Sequence, residues 1–213
     1  MSIDRKYIFD KVVFFLKKET KFFTSSELHM IIGVDAFRRV ARDTGFPKSN
    51  YSSVMASGVW SVDMPSDFIK VDDTKDLVFK DGVGLHGLGH KKQKDIGRVN
   101  ILTASPSSPY NFFMEDENTL GVYPPSTSGI VVVPYVKIPT SLSNDTATNE
   151  ITERCYMAGV YWTVSECMLK DNDMRYQVYI GRYNKEVQEL RGTYGELFDG
   201  DESIVPAEDY LRR

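Results

Sequence analysis

The first residues in the sequence that could do chemistry are two histidines, His86 and His90. Histidines four residues apart can share a metal ion when a helix places them on one face. Gly87 and Gly89 lie between them, and glycine at this density disfavours a helix. No neighbouring pair of carboxylates or cysteines completes a site. The sequence therefore predicts no metal here, and no other pattern predicts a bound cofactor.

The same segment is basic, since Lys91, Lys92 and Lys94 follow His90. Lysines beside glycines can contact phosphate, but these glycines lack the strand–loop–helix context of a phosphate-binding loop. We expect residues 82–97 to form a long solvated loop that contacts a partner protein.

A search for a nucleophile identifies no reaction class. Cys155 and Cys167 lie on one predicted helix, about 18 Å apart at 1.5 Å per residue, so they cannot form a disulfide with each other. Neither cysteine is near a histidine in the sequence, and His29 fits a surface or boundary position on a helix. The candidate serines lie in a predicted turn and not in a nucleophile elbow: Ser105, Ser107 and Ser108. The paired acids also occupy predicted turns, where exposed carboxylates are ordinarily ionised: Asp72, Asp73, Glu115 and Asp116. The sequence predicts that the protein is not an enzyme.

Three arginines, Arg38, Arg39 and Arg42, cluster near the end of a predicted helix. The chain carries a net charge of −4, with a pI of about 5.5, so no overall positive field attracts nucleic acid or anionic lipid. No apolar run reaches the length of a membrane span, and the absence of a feasible disulfide favours a reduced, intracellular setting. The cluster indicates a solvated face or a set of intersubunit salt bridges.

The elements that must position these residues begin with two antiparallel helices at residues 149–191. Apolar residues recur at steps of three and four along both: Ile151, Cys155, Ala158, Trp162, Ser165, Leu169, then Tyr176, Ile180, Tyr183, Val187 and Leu190. Asn149 can cap the first helix, and Gly192 and Gly195 are expected to end the second. Such helices must bury their stripes against each other and against another part of the chain.

Residues 1–48 predict a second helix pair. The first helix spans residues 3–18, with Ile8, Val12 and Phe15 facing inward. The second begins at a capping box formed by Thr24 and Glu27, continues to about residue 43 and ends at Gly45.

Residues 49–148 predict an antiparallel β subdomain. Short alternating runs mark its strands, and residues 115–118 form the turn of a hairpin. Proline cannot donate to a strand ladder, so Pro134 predicts that the β-branched run at residues 130–138 is an edge strand or contains a bulge. Residues 140–148 read as a polar linker.

The fold class is therefore α+β: a helical bundle of two helix pairs, with the β subdomain inserted between them. The apolar residues of segment 192–213 show no helical or strand periodicity, which predicts an extended C-terminal arm. The 12 tyrosines and 12 phenylalanines suit a protein interface, or they simply fill a small core.

Four stretches together resemble the head-to-tail adaptor (connector) proteins of short-tailed double-stranded DNA bacteriophages. They are residues 37–45 (FRRVARDTG), residues 60–71 (WSVDMPSDFIKV), residues 120–126 (LGVYPPS) with 135–139 (YVKIP), and the helix pair at 150–190. They occur in a shared order and span about three-quarters of the chain.

The resemblance implies a structural virion protein at the head–tail junction, assembled in the host cytoplasm. Such a protein forms a homo-oligomeric ring, typically dodecameric, that docks on the portal and carries the tail tube or nozzle. Genome DNA passes through its channel without sequence recognition.

The resemblance also implies roles for particular residues. The portal-docking arm would use Tyr194, Leu197, Phe198, Ile204, Val205, Tyr210, Leu211, Arg212 and Arg213. The loop at residues 82–97 departs from the family pattern, and the residues themselves predict that loops contacting the tail or a neighbour use His86, His90, Lys91, Lys92, Lys94, Glu115 and Asp116. The face with Arg38, Arg39 and Arg42 would lie between subunits. The alternative is a small intracellular protein-binding module or regulatory protein that works as a monomer or dimer.

Overall fold

The structure, a computed structural model, describes residues 3–17, 23–72, 75–97, 103–149 and 151–195. Its helices are α1 (Arg5–Leu16), α2 (Ser25–Met30), α3 (Phe37–Thr44), α4 (Gln93–Ile96), α5 (Thr152–Lys170) and α6 (Tyr176–Gly195), and a π-helical segment, Ile31–Ala36, joins α2 to α3. The strands are β1 (Lys48–Met55), β2 (Ser61–Asp63), β3 (Phe68–Val71), β4 (Leu77–Asp81), β5 (Leu85–His90), β6 (Asn111–Met114), β7 (Thr119–Tyr123) and β8 (Gly129–Lys137). The α+β class is confirmed.

The ends of the N-terminal helices follow local chemistry. Asp4 caps α1 by accepting from the backbone N–H of Tyr7 at 2.9 Å. Thr24 and Glu27 form the predicted capping box at α2. Gly45 ends α3 with φ of 74°, a left-handed conformation that glycine adopts without steric cost.

Helix α5 is buried on more sides than its predicted stripe. Ile151, Cys155, Ala158 and Ser165 are buried as expected, but Leu169 is 48% exposed, so its place on the buried face is wrong. A second set of buried residues lies off the predicted stripe: Val160, Thr163, Val164, Cys167 and Met168. A helix that is apolar around most of its circumference is surrounded by other elements.

The surrounding elements are helices from both ends of the chain. α5 packs on α1, the π-helical segment, α3 and α6, and one apolar cluster takes residues from all of them. Phe37, 1% exposed, lies against Gly159 of α5, where an added methyl group would approach its ring to 3.0 Å. The segment predicted as a polar linker joins this core through Leu142, which is 2% exposed and donates to the Gly33 carbonyl at 3.0 Å.

The strands form one sheet in the order β1-β8-β4-β5-β6-β7-β2, with β3 also paired to β8. The predicted hairpin is present as β6 and β7. The sequence predicted an antiparallel sheet. The observed sheet is mixed, because β5 and β6 run parallel. Residues from seven of these strands share one apolar cluster, so the sheet curls around its own core.

Pro134 lies inside the sheet, so the edge-strand alternative is wrong, whereas the pairing of β3 with β8 does contain a register shift, at Phe68 and Lys70. β8 pairs with β1 on one side and with both β4 and β3 on the other. β4 opposes residues up to Val132 and β3 opposes residues from Tyr135, which leaves Pro134 in the gap between them. In that gap the backbone N–H of Asp72 donates to the carbonyl of Pro134. Because no strand is paired there, the N–H that proline lacks breaks no ladder hydrogen bond.

The predicted loop at residues 82–97 is also wrong over most of its length. Leu85–His90 forms β5, which pairs with β4 and β6, and α4 follows it. Glycine has a low strand propensity, but Gly87 is paired with Val78 of β4, and Gly89 is paired with Asn111 of β6. The turn at residues 82–84, the link at residues 91–92 and Gly97 remain irregular.

Gly121 permits a close contact in the core, and its replacement is expected to destabilise the sheet. A Cβ at this position would lie 2.3 Å from Cζ of the fully buried Phe113 on the opposite strand. We expect Gly121→Ala to lower the free energy of unfolding by about 2 kcal/mol through overpacking, measured by urea titration. Gly87→Ala, where a Cβ meets nothing within 4 Å, is the matched control. Equal effects of the two substitutions would contradict this account.

Candidate assembly surfaces

The turn between β4 and β5 is organised by one carboxylate, that of Asp81. Its side chain is 4% exposed and accepts from the backbone N–H groups of Val83 at 2.8 Å and Gly84 at 3.0 Å. The hydroxyl of Ser108 donates to Asp81 Oδ2 at 2.6 Å. His86 Nε2 lies 3.3 Å from Asp81 Oδ1, the oxygen that also accepts from the two backbone N–H groups. The hydrogen bond from Ser108, followed by the two from the turn, holds the pKa of Asp81 well below its usual value.

This cluster holds a turn in place and does not form a nucleophilic site. Ser108 and His86 both contact Asp81, whereas an activated serine must be hydrogen-bonded to the histidine that takes its proton. The effect of the contacts is to join the β4–β5 turn to the segment that leads into β6.

The two histidines lie on β5, not on a helix or loop. Residues four apart in a strand are separated by about 13 Å, so His86 and His90 cannot coordinate one ion together. His86 is half-buried against Asp81, whereas His90 is exposed, with its ring centre 5.1 Å from that of Phe112. Among the described residues, no group of three or more His, Cys, Asp or Glu side chains could hold a metal ion.

The predicted lysines and acids lie toward the other end of β5. Lys91 and Lys92 follow the strand, Lys94 lies in α4, and all three are exposed. Glu115 and Asp116 occupy the β6–β7 turn, where the backbone N–H of Asn118 donates to Asp116 at 2.8 Å and lowers the pKa of its carboxyl. The structure thus brings Asp116 near His90, and both line one cleft.

This β3–β6 cleft is open and has a volume of about 550 Å³. Its lining comprises Phe68, Ile69, Lys70, Val71, His90, Phe112, Met114, Asp116 and Glu117. Apolar side chains from β3 and β6 form its walls, and the two acids lie on the adjoining turn. Aromatic and apolar walls with a few charged groups are typical of a recess that receives another molecule.

An exposed apolar row crosses the opposite end of the sheet. Val54 of β1 opposes Ile130 of β8, which opposes Lys80 of β4, which opposes Leu85 of β5. Directly opposed residues point to the same face of a sheet, so these four side chains are neighbours. Val54 is 80% exposed and Leu85 67%, and Val83 at the adjoining turn is 90% exposed.

The predicted arginine face is divided by the structure. Arg38 and Arg42 are exposed, together with Met30 and Val34 on the preceding turns. Arg39 points elsewhere and donates to Asp43 at 2.8 Å within the same helix. Its guanidinium therefore serves an ion pair within the helix, and a role for Arg39 between subunits stays a prediction.

Asp43 joins α3 to the last helix. Tyr183 of α6 donates its hydroxyl to the Asp43 carboxylate at 2.5 Å, and Arg191 donates to the Asp43 carbonyl at 2.6 Å. Burial of Tyr183, reinforced by the negative charge of Asp43, raises the pKa of the phenol. The contact ties the two ends of the chain together with a charge-assisted hydrogen bond.

We expect Tyr183→Phe to cost about 1–2 kcal/mol of stability near pH 7, because the partly buried carboxylate of Asp43 loses a donor. A raised pKa in the folded state means that this stabilisation is complete below the unfolded value near pH 10 and is lost as the pH rises further. Above pH 10 the wild type should therefore lose about 1.4 kcal/mol per pH unit more than the variant. Urea titrations between pH 8 and 11 measure this difference, and parallel curves would contradict it.

The first residues of the segment predicted as the arm are helical, because α6 continues through Gly192 to Gly195. Tyr194 therefore belongs to the helix. The remaining arm residues lie outside the described residues: Leu197, Phe198, Ile204, Val205, Tyr210, Leu211, Arg212 and Arg213.

Sequence reasoning missed the cleft walls and the exposed apolar row. Phe68 and Phe112 read as ordinary strand residues, and Val54 carries no local signal of exposure. Val83 could have been found, because an apolar residue between two glycines in a turn is unusual. The helical pair Met30 and Val34 could have been found by extending the arginine face backward at steps of four.

The described helices include none long and apolar enough to cross a membrane.

Comparison with known proteins places the chain in a family. The sequence model of the SU10 adaptor protein family matches residues 32–202, about four-fifths of the chain. No curated protein matches it. The match confirms the resemblance to a phage head-to-tail adaptor, and the family is a structural one and not a class of enzymes. The chain therefore belongs to the SU10 adaptor protein family, a family of structural virion proteins of bacteriophages.

Proposed function

We propose that the chain is the head-to-tail adaptor of a short-tailed double-stranded DNA phage. It forms a ring, dodecameric by analogy, that docks on the portal and carries the tail tube or nozzle, with genome DNA passing through the channel. Assembly takes place in the host cytoplasm, and the ring ends at the head–tail junction of the virion. The observation that carries the proposal is the family match across both the helical region and the sheet.

The distribution of charge supports separate roles for the body and the arm. Residues 196–213 contain six carboxylates and two arginines, so the entire net charge of −4 lies in this segment. The first 195 residues are balanced, with 24 basic and 24 acidic side chains. A balanced body does not bind a passing polyanion through a general field, whereas an acidic segment with apolar residues suits a basic, apolar groove on the portal.

Three surface features support self-association around the ring. Exposed Arg38 and Arg42, with Met30 and Val34, form a mixed strip on the helical region. The β3–β6 cleft and the exposed apolar row lie at opposite ends of the sheet. A ring needs two different surfaces per subunit, because its interfaces are heterologous.

Co-assembly with the portal protein of the same phage tests this function. Native mass spectrometry and electron microscopy of the mixture should show one closed ring of the chain, expected at twelve copies, on each portal. The chain alone at the same concentration is the control, because adaptors can stay monomeric until they meet the portal. A chain that remains a monomer or dimer and does not bind the portal would favour the protein-binding module.

A further inference from the structure

The β4–β5 turn presents a small apolar and basic projection, which we call the knob and define as Lys80, Val83 and Leu85. Val83 is 90% exposed at the turn, and Leu85 is 67% exposed directly opposite Lys80. Beyond Lys80, the exposed row continues across the sheet with the apolar side chains of Ile130 and Val54. Single exposed apolar residues are ordinary, but a contiguous row at the end of a sheet indicates an interaction surface.

The knob is held in one conformation before any partner arrives. Asp81 binds the backbone of Val83 and Gly84, and Ser108 and His86 fix Asp81 from the side. A preorganised turn loses little conformational entropy when it docks. The network joins the turn to the segment before β6, although the turn itself contributes no side chain to the sheet core.

The β3–β6 cleft complements the knob in size and in chemistry. Its volume of about 550 Å³ has room for the side chains of Val83 and Leu85 against Phe68, Phe112 and Met114. The cleft contains two acids, Asp116 and Glu117, and two basic groups, Lys70 and His90. The acids lie together on the β6–β7 turn, where they can pair with an incoming Lys80.

The knob and the cleft of one copy cannot meet. They lie at opposite ends of β5, where Leu85 and His90 are separated by about 17 Å of extended strand. Their complementarity can therefore be satisfied only between two molecules, in a head-to-tail manner.

We propose that the knob of one copy inserts into the β3–β6 cleft of a neighbouring copy. The occupant is a second copy because this chain itself carries both complementary surfaces. The contact is heterologous, so it repeats and closes into a ring when the rotation per subunit permits. The inference rests on the proposed ring, for which it names the interface and assigns a role to the turn at residues 82–84.

Cysteine cross-linking in the full-length chain tests the contact. Val83→Cys and Asp116→Cys place thiols on the knob and at the cleft. The native Cys155 and Cys167 are buried, and burial raises the pKa of the Cys167 thiol to about 12, so neither competes for a maleimide reagent. A mixture of the two variants, treated with a short bismaleimide at high concentration or on the portal, should give a dimer containing one of each. Either variant alone should give none, and the double variant should give a ladder of oligomers.

Charge reversal provides a second measurement. Lys80→Glu should weaken self-association about tenfold, and adding Asp116→Lys should restore it, as expected for an ion pair between copies. Met174→Glu, at a residue 70% exposed on the helical region, is the control and should have no effect.

The outcomes separate this inference from the proposed function. A portal-bound ring without the mixed cross-link would overturn the knob-in-cleft contact and leave the adaptor function intact. Cross-linking of Val83→Cys to itself would also overturn it, because it indicates a symmetric contact. The mixed dimer in a chain that never binds the portal would support the contact and contradict the adaptor function.

Discussion

Removal of residues 196–213 is expected to abolish docking on the portal. These residues hold six carboxylates and five large apolar side chains beyond the last described helix: Leu197, Phe198, Ile204, Val205 and Leu211. Losing both the charged and the apolar contacts of a docking segment should weaken portal binding at least about 100-fold, or about 2.8 kcal/mol. Binding of the truncated chain to immobilised portal rings measures the effect.

The truncation has a clear structural control. The apolar clusters of the described residues contain no member beyond Leu190, so thermal unfolding of the truncated chain should match that of the full chain. A full-length variant with Ile204→Ser and Val205→Ser separates the apolar contribution from that of charge. Portal binding that survives the truncation unchanged would mean that the body docks and the arm does not.

Phe37→Ala is expected to cause the largest loss of stability among the substitutions considered. Phe37 is 1% exposed and lies where α3 meets Gly159 of α5, so the ring joins the N-terminal helices to the C-terminal ones. Removing a buried phenylalanine costs about 3–5 kcal/mol through lost burial and the cavity left behind. Urea unfolding followed by circular dichroism measures the change.

The matched control for this substitution is Phe14→Ala, since Phe14 is 73% exposed on α1. It should change the free energy of unfolding by no more than about 0.5 kcal/mol. If Phe37→Ala had an equally small effect, the helices from the two ends of the chain would not share a core. A second unfolding transition in the variant would show that the sheet unfolds separately.

The parts of the fold that were predictable depend on residues close together in the chain. The capping box of Thr24 and Glu27 and the left-handed Gly45 are decided within one helical turn. The hairpin around residues 115–118 is decided by its two flanking strands. The family resemblance succeeded for the related reason that it rests on contiguous stretches of sequence.

The errors concern elements whose state depends on distant partners. β5 looked like a loop because of its glycines, but β4 and β6 supply hydrogen bonds on both sides. Pro134 looked like an edge residue, and its position in the gap between β3 and β4 is invisible without the pairing register.

The sequence by itself determined the local elements, the α+β class and the family, because capping, periodicity and turn chemistry act over a few neighbouring residues. Only the tertiary structure decided which surfaces exist. Asp81 and Ser108 are 27 residues apart in the chain, and the cleft combines β3 with residues more than forty positions later. Such surfaces arise from strand pairing and from the packing of distant segments, and no local pattern of residues encodes either.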